Sequence, residues 1–310
     1  MPKNLHSASL PANTIRGWAS WGEQAFDDAG LYYGHGTDNP LDEAVYLIAY
    51  AIKTDFDFTG YDVDQPLTER ENAAIYELLT TRIDTRKPAA YLVNEAWFAG
   101  YPFYVNEHVL VPRSPLAELI AEQFYPWVDV SKVKSIIDIG TGSGCIAIAC
   151  ALYLEHCAVD AVDIDEEALR LTRKNIQRHQ LQDRVKAIKS DLFSQVPPKS
   201  YDIIISNPPY VSEAEYAALP DEYHREPKLG LTAGTDGLDC VRHMLRDASK
   251  YLNEGGVLIV EVGNSQIALE AAFPDVPFTW LEFEHGGSGV FLLDKHQLDE
   301  YSACFLQRAT

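Results

Sequence analysis

The sequence predicts an α/β protein built on a doubly wound, Rossmann-like and mostly parallel sheet with an antiparallel last strand. In front of it stand a small N-terminal helical domain and a connecting β-hairpin. Three observations carry this. From about Ser135 onward, short β-branched runs alternate with longer helical stretches, the pattern of βαβ units. The first of these runs empties into a glycine loop. Up to about Val93, apolar residues recur at helical spacing instead.

In the helical region, Ala44, Leu47, Ile48 and Ala51 share one helix face. Thr68-Glu69-Arg70-Glu71 reads as a capping box, and Ala74, Ile75, Leu78 and Leu79 follow as an apolar stripe. Lys87-Pro88 closes the region. Trp97-Phe98-Ala99 and Phe103-Tyr104-Val105 then flank Gly100-Tyr101-Pro102, which predicts a hairpin. The expected division is residues 1–94 helical, 95–112 hairpin linker and 113–310 α/β domain. Strands are expected at 135–140, 158–163, 185–189, 202–206 and 256–263, and helices at 145–154, 166–179 and 240–252. Two late runs, 278–284 and 289–293, enclose His285-Gly286-Gly287-Ser288 as an antiparallel pair.

Composition narrows the function classes. The 310 residues allow two domains, or one with a helical extension. No apolar run is long enough to span a bilayer, and residues 1–7 lack the apolar core of a signal peptide, so a cytoplasmic location is expected. The five cysteines are odd in number and form no Cys-x-x-Cys pair, so neither a disulfide framework nor a metal site is expected. His156 beside Cys157 is read as structural. The net charge of −21, without a basic stripe, argues against sequence-specific nucleic-acid binding. It fits a solubilising surface, or steering of a basic partner.

The cofactor site is read from Ile136-Ile137-Asp138-Ile139-Gly140-Thr141-Gly142-Ser143-Gly144, a strand running into a glycine loop and a helix start. Glycines admit a ligand where a Cβ would clash, and the helix start offers unpaired N–H groups. The third glycine comes too early for the dinucleotide pattern G-x-G-x-x-G, because Cys145 holds that last position. Asp138 places a carboxylate near the strand end. It suits the ammonium and sulfonium of S-adenosyl-L-methionine better than a pyrophosphate. Asp163, about one βαβ unit on, is positioned to accept ribose hydroxyls. Asp191 follows the third strand and is read as receiving the adenine amino group, with Leu192 covering the ring. Any one of these Asp residues alone would equally be a helix cap or turn residue. Their joint placement after strands of one sheet points to a nucleotide-like cofactor.

The acceptor site is read from Asn207-Pro208-Pro209-Tyr210, which ends the apolar strand Ile203-Ile204-Ile205-Ser206. The prolines stiffen the turn and remove N–H donors. The Asn207 side-chain carbonyl and the Pro208 backbone carbonyl are two acceptors for the two hydrogens of an –NH₂ group. Tyr210 supplies an aromatic wall. The backbone of Asn207 is also expected near the cofactor. An amide nitrogen is a poor nucleophile, so its catalyst works by orientation and electrostatics, and no strong general base is evident.

Asp138 to Gly144, Asp163 and Asn207 to Tyr210 resemble the HemK-type protein-glutamine methyltransferases. The resemblance extends from about Pro88 to Leu293. It takes in Phe98-Ala99-Gly100-Tyr101-Pro102, Val109-Leu110-Val111-Pro112-Arg113, Glu226-Pro227 and Asp236-Gly237-Leu238. It implies a class I S-adenosylmethionine-dependent methyltransferase domain, with S-adenosyl-L-homocysteine as product, and methylation of a glutamine side-chain nitrogen. The release-factor enzymes follow Pro-Arg with Pro-Asp-Thr-Glu, whereas this chain has Arg113-Ser114-Pro115-Leu116. Together with Tyr33-Gly34-His35-Gly36-Thr37-Asp38-Asn39-Pro40, that departure resembles the branch acting on the large-subunit ribosomal protein L-three, free or in an assembling subunit. Arg113 and Glu118 are read either as framing the acceptor cleft or as a surface ion pair. Three rivals stay open. Two are a release-factor glutamine methyltransferase and an adenine-N6 nucleic-acid methyltransferase, which shares the Asn-Pro-Pro-aromatic turn. The third is a non-catalytic assembly module.

Overall fold

The computed structural model describes residues 13–55 and 57–307; residues 1–7, read above for a leader, lie outside these. The chain divides into two compact units. One comprises Met1–Glu95 with Pro220–Arg225, the other Ala96–Leu219 with Glu226–Thr310.

The first unit is helical over Ile15–Ala29, Pro40–Ile52, Glu69–Thr85 and Ala89–Val93. Asn39 caps the second helix with Pro40 at its first turn, and Thr68 with Glu71 forms the complete capping box of the third. Trp18, Phe26, Leu47, Ile48, Ile75 and Leu79 are buried together. Beside them lies a buried ionic cluster. Arg82 is fully inaccessible; its Nε donates to Glu43 Oε1 at 2.7 Å and its Nη2 to the Tyr32 carbonyl at 3.1 Å. Glu222, from the returning segment 220–225, lies 3.5 Å from Arg82 Nη1 and accepts from the Tyr32 N–H. The turn of Gly34-His35-Gly36 closes through a Gly34 N–H to Thr37 carbonyl bond. His35 is buried against the Tyr223 ring, with centroids 4.6 Å apart.

The second unit opens with the hairpin of β1 (Glu95–Phe98) and β2 (Tyr101–Tyr104). From Ala96 on, this hairpin is part of the α/β unit rather than a separate linker. The reason is burial: Phe98 and Phe103 sit in the α/β core, and Asn175 bonds both the N–H and the carbonyl of Tyr104. The sheet contains β3 (Ser135–Ile139), β4 (Ala158–Asp163), β5 (Val185–Lys189), β6 (Tyr201–Ser206), β7 (Leu252–Glu261), β8 (Thr279–Leu281) and β9 (Val290–Asp294). Their spatial order is β5-β4-β3-β6-β7-β9-β8. Strands β3 to β7 pair in parallel, and β9 runs antiparallel to both neighbours.

Alternate residues feed two apolar layers. Ile136, Ile203 and Ile259 join one core, and Ile137, Ile204 and Leu258 the other. β7 starts earlier than its expected residue 256, and the preceding α-helix ends at Asp247 and continues as a 3-10 turn over Ala248–Tyr251, one residue short of its expected bound at 252. Leu252 already pairs with Tyr201, and Asn253 Nδ2 bonds Asp202 Oδ1, so the strand begins at Leu252. No helix among the described residues is long and apolar enough to cross a membrane.

Candidate active site

Strand order reverses between β3 and β6, and ligands of such sheets bind in the crevice beyond the carboxyl strand ends at that reversal. A cavity of about 510 Å³ lies there. Its size is within the ~300–1,000 Å³ of small-ligand clefts. Gly140, Thr141, Gly142, Ser143, Asp163, Asp191, Leu192 and the whole of Asn207-Pro208-Pro209-Tyr210 line it.

The glycine loop is tied to its neighbours through its own backbone. The N–H groups of Gly140 and Thr141 both donate to the Val162 carbonyl at 2.8 Å. Gly142 N–H donates to Asp163 Oδ2 at 2.8 Å, and its carbonyl accepts the Thr172 hydroxyl. Two predicted residues do not face the cavity. Asp138 is fully buried beneath the loop. Its Oδ2 accepts the Thr141 hydroxyl at 2.5 Å and the Ala147 N–H at 3.1 Å, so it braces the loop rather than lining the ligand space. Gly144 also stays out of the lining. A Cβ there would come 2.8 Å from Thr172 Cγ2, and its φ of +83° is left-handed, so this glycine serves helix packing.

Burial pushes the Asp138 carboxyl up to about 7, against the Thr141 and Ala147 donors that favour the charged form. A folded-state value raised above the unfolded one means the native state holds the proton more tightly. This contribution to stability is complete below the unfolded value of 3.8 and is lost as pH rises through about 7. Asp138→Asn keeps an acceptor for both donors and cannot ionise. The melting temperature of the variant is therefore expected to gain on wild type between pH 5 and 8. A constant difference across that range contradicts this.

Asp163 ends β4. Oδ1 accepts the Asp165 N–H at 2.9 Å, so each oxygen uses one protein donor and retains acceptor capacity toward the cavity. Burial raises its carboxyl above the ordinary value, opposed by the Asp165 and Gly142 N–H groups. Leu192 adopts a left-handed φ of 46°, a conformation costly for a residue with a Cβ and typical of ligand-holding turns. Ile164 and Leu192 give the same end of the cavity apolar surface, beside the Asp191 carboxylate. This set fits S-adenosylmethionine: an open glycine loop, a carboxylate with spare lone pairs for a ribose, and an apolar stretch beside an acceptor for adenine. Asp163→Ala is expected to weaken cofactor binding by roughly tenfold to a hundredfold, the value of hydrogen bonds to a charged group. Calorimetric affinity equal to wild type would remove Asp163 from the site.

At the end of β6, Ser206 Oγ donates to the Ile139 carbonyl at 2.6 Å and locks β6 to β3. Beyond it, the Asn207 side-chain amide and the Pro208 carbonyl have no hydrogen-bond partner among the described residues. Two acceptors thus stand open on one rigid turn. Tyr210 is held differently: its hydroxyl donates to Glu261 Oε1 at 3.0 Å, and its carbonyl accepts the Ser265 hydroxyl at 2.7 Å.

Arg113 and Glu118 do not pair with each other. Arg113 lines the cavity and makes a two-pronged bond to Glu226, 2.7 Å on each side, while Glu226 also accepts the Val111 N–H. Glu118 accepts the N–H groups of Glu284 and His285, which hold its carboxyl below the ordinary range. Glu226, Ser114 and Glu261 were missed as site residues. Glu261 had a readable signal, since it is a carboxylate at the end of an apolar strand, as Asp163 is. Glu226 and Ser114 were noted only within the resemblance and had no chemical signal of their own, because their partners lie more than a hundred residues away.

Residues 118–220 match the family model of the methyltransferase small domain. A ribosomal protein uL3 glutamine methyltransferase of Francisella tularensis is 46% identical over 303 residues, covering 97% of this chain and 94% of the relative. One from Neisseria gonorrhoeae is 42% identical over 295 residues, covering 95% and 98%. Among solved structures, a methyltransferase from Pyrococcus furiosus aligns with a TM-score of 0.46 at 21% identity, over 62% of this chain and 88% of its own.

Proposed function

This chain belongs to the ribosomal protein uL3 glutamine methyltransferases, and from that premise we propose that it methylates the side-chain amide nitrogen of a glutamine in uL3, the protein called L-three above. The observation that carries the chemistry is the pair of open acceptors, the Asn207 side-chain carbonyl and the Pro208 carbonyl. S-adenosylmethionine supplies a methyl group already activated as a sulfonium, and S-adenosylhomocysteine is its product. Asp163 and the Gly140–Ser143 backbone hold the cofactor; Asp191 and Leu192 receive its base. Asn207 and Pro208 take one amide hydrogen each, which orients the nitrogen and favours the N–H polarisation that accompanies attack. Pro209 removes the N–H that would compete at that turn. Tyr210 walls the planar amide.

None of the described residues of the helical region 1–94 lines the cavity, and we assign that region recognition of the protein substrate. The acidic surplus suits a basic ribosomal protein, met in the cytoplasm either free or within an assembling large subunit. An adenine-modifying activity is disfavoured by the same charge, since phosphate contacts need a basic surface.

The test incubates the full chain and labelled cofactor with free uL3, with a release factor, and with large-subunit particles from cells lacking the enzyme. Mass spectrometry then identifies the labelled atom. Methylglutamine in uL3 is the expected product, and the better substrate form tells free from assembling. Label on a release factor or on an RNA adenine, with none on uL3, overturns the proposal.

A further inference from the structure

One group beside the acceptor turn has no part in the chemistry described so far. Glu261 is the last residue of β7, and the register that sets Ser206 against Val260 puts Glu261 level with Asn207 on the neighbouring strand. It lines the cavity yet is 5% exposed. Burying a carboxylate is costly unless its charge is used or paired. Arg113 acts on Glu261 electrostatically but gives its two-pronged hydrogen bond to Glu226. The hydrogen-bond donors to Glu261 are two neutral hydroxyls, Ser114 Oγ at 2.5 Å and Tyr210 Oη at 3.0 Å. A glutamine would fill the same space without the charge. What the carboxylate alone provides is two oxygens that both accept, one for each hydroxyl.

We propose that Glu261 is a positioning residue for the methyl acceptor, acting through the Tyr210 ring. Tyr210 is held at three points. Its hydroxyl is fixed by Glu261, and its backbone carbonyl by Ser265 Oγ. Its ring lies so close to Gly263 that a Cβ there would stand 2.6 Å from Cε2. A planar amide resting on Tyr210 inherits this rigidity, so its nitrogen keeps both bonds to Asn207 and Pro208. Ser114 holds the second carboxylate oxygen and thereby sets the direction of the first. This assigns Ser114 a role in the acceptor end of the site.

The inference rests on the acceptor reading above, so the wild-type product is identified first. The kinetics are then run on whichever nitrogen carries the label. Glu261→Gln is expected to lower kcat by tenfold or more while leaving cofactor Kd within about twofold, because one acceptor oxygen replaces two and the Ser114 and Tyr210 hydroxyls can no longer both donate to it. Tyr210→Phe, which removes only the hydroxyl, is expected to fall by a similar factor. In the double variant the losses do not multiply, since both break the same contact. Multiplying losses overturn the proposal, as does a wild-type kcat in Tyr210→Phe. A matching loss of cofactor affinity in Glu261→Gln overturns it too. Should Glu261→Gln fail to fold, Ser114→Ala takes its place in the same cycle with Tyr210→Phe, under the same criterion.

Discussion

Asn207→Ala is expected to lower kcat by on the order of a hundredfold or more, the cost of losing a hydrogen bond that acts on the reacting group. The variant removes one of the two open acceptors and leaves Pro208, Pro209 and the glycine loop in place. The fold should survive, because the Asn207 side chain bonds to nothing else among the described residues. Cofactor affinity should change far less than turnover. Asn207→Asp is the sharper variant. It preserves size and an acceptor oxygen but loses the –NH₂ and gains a charge. A glutamine amide carries a carbonyl oxygen beside its nitrogen, and that oxygen would face the new charge with no donor. Adenine has no such carbonyl next to its amino group. Asn207→Asp is therefore expected to be severely impaired on the protein substrate. Near-normal single-turnover rates would sink the two-acceptor arrangement and reopen adenine as the acceptor.

Arg82→Met is expected to destabilise the helical unit by about 3–5 kcal/mol, the usual cost of removing one partner from a buried ion cluster. Arg82 is the shared cation between Glu43 and Glu222, and all three side chains are at most 2% exposed. Without it, Glu43 keeps only the Thr37 hydroxyl, and Glu222 keeps the Tyr32 N–H and the half-buried Arg86. Burial would lift the Glu222 carboxyl, yet the Tyr32 N–H, Arg82 and Arg86 hold it below the ordinary value, so it is charged in the native state. Methionine fills the volume but neutralises neither carboxylate. Urea melts followed on the helical unit would show the loss. A change below about 1 kcal/mol would mean the cluster contributes no more than a surface ion pair does.

Much of the candidate site was legible because its signals are local. A glycine loop after an apolar strand, a carboxylate closing the next strand and an Asn-Pro-Pro-Tyr turn are each specified within a few residues. The parallel sheet then brings their strand ends together at one edge. The helical region was readable for the same reason: Thr68-Glu69-Arg70-Glu71 folds into its own capping box without help from elsewhere. Asp138 shows the limit. Its place before the loop was clear, but whether its carboxylate faces the cavity or the protein depends on Thr141 and Ala147 and on how deeply the loop sits.

Chain order alone therefore carried the α/β architecture, the glycine loop and the Asn-Pro-Pro-Tyr turn, since propensity, periodicity and turn chemistry act between near neighbours. The assignment of residues 220–225 to the helical unit was hidden in it, as were the Arg113–Glu226 bond and the Ser114–Glu261–Tyr210 chain. Each of these joins residues tens to hundreds of positions apart. The reason is electrostatic. A charged side chain looks the same in sequence whether solvent or protein surrounds it, and only folding withdraws the water and makes a particular distant partner necessary.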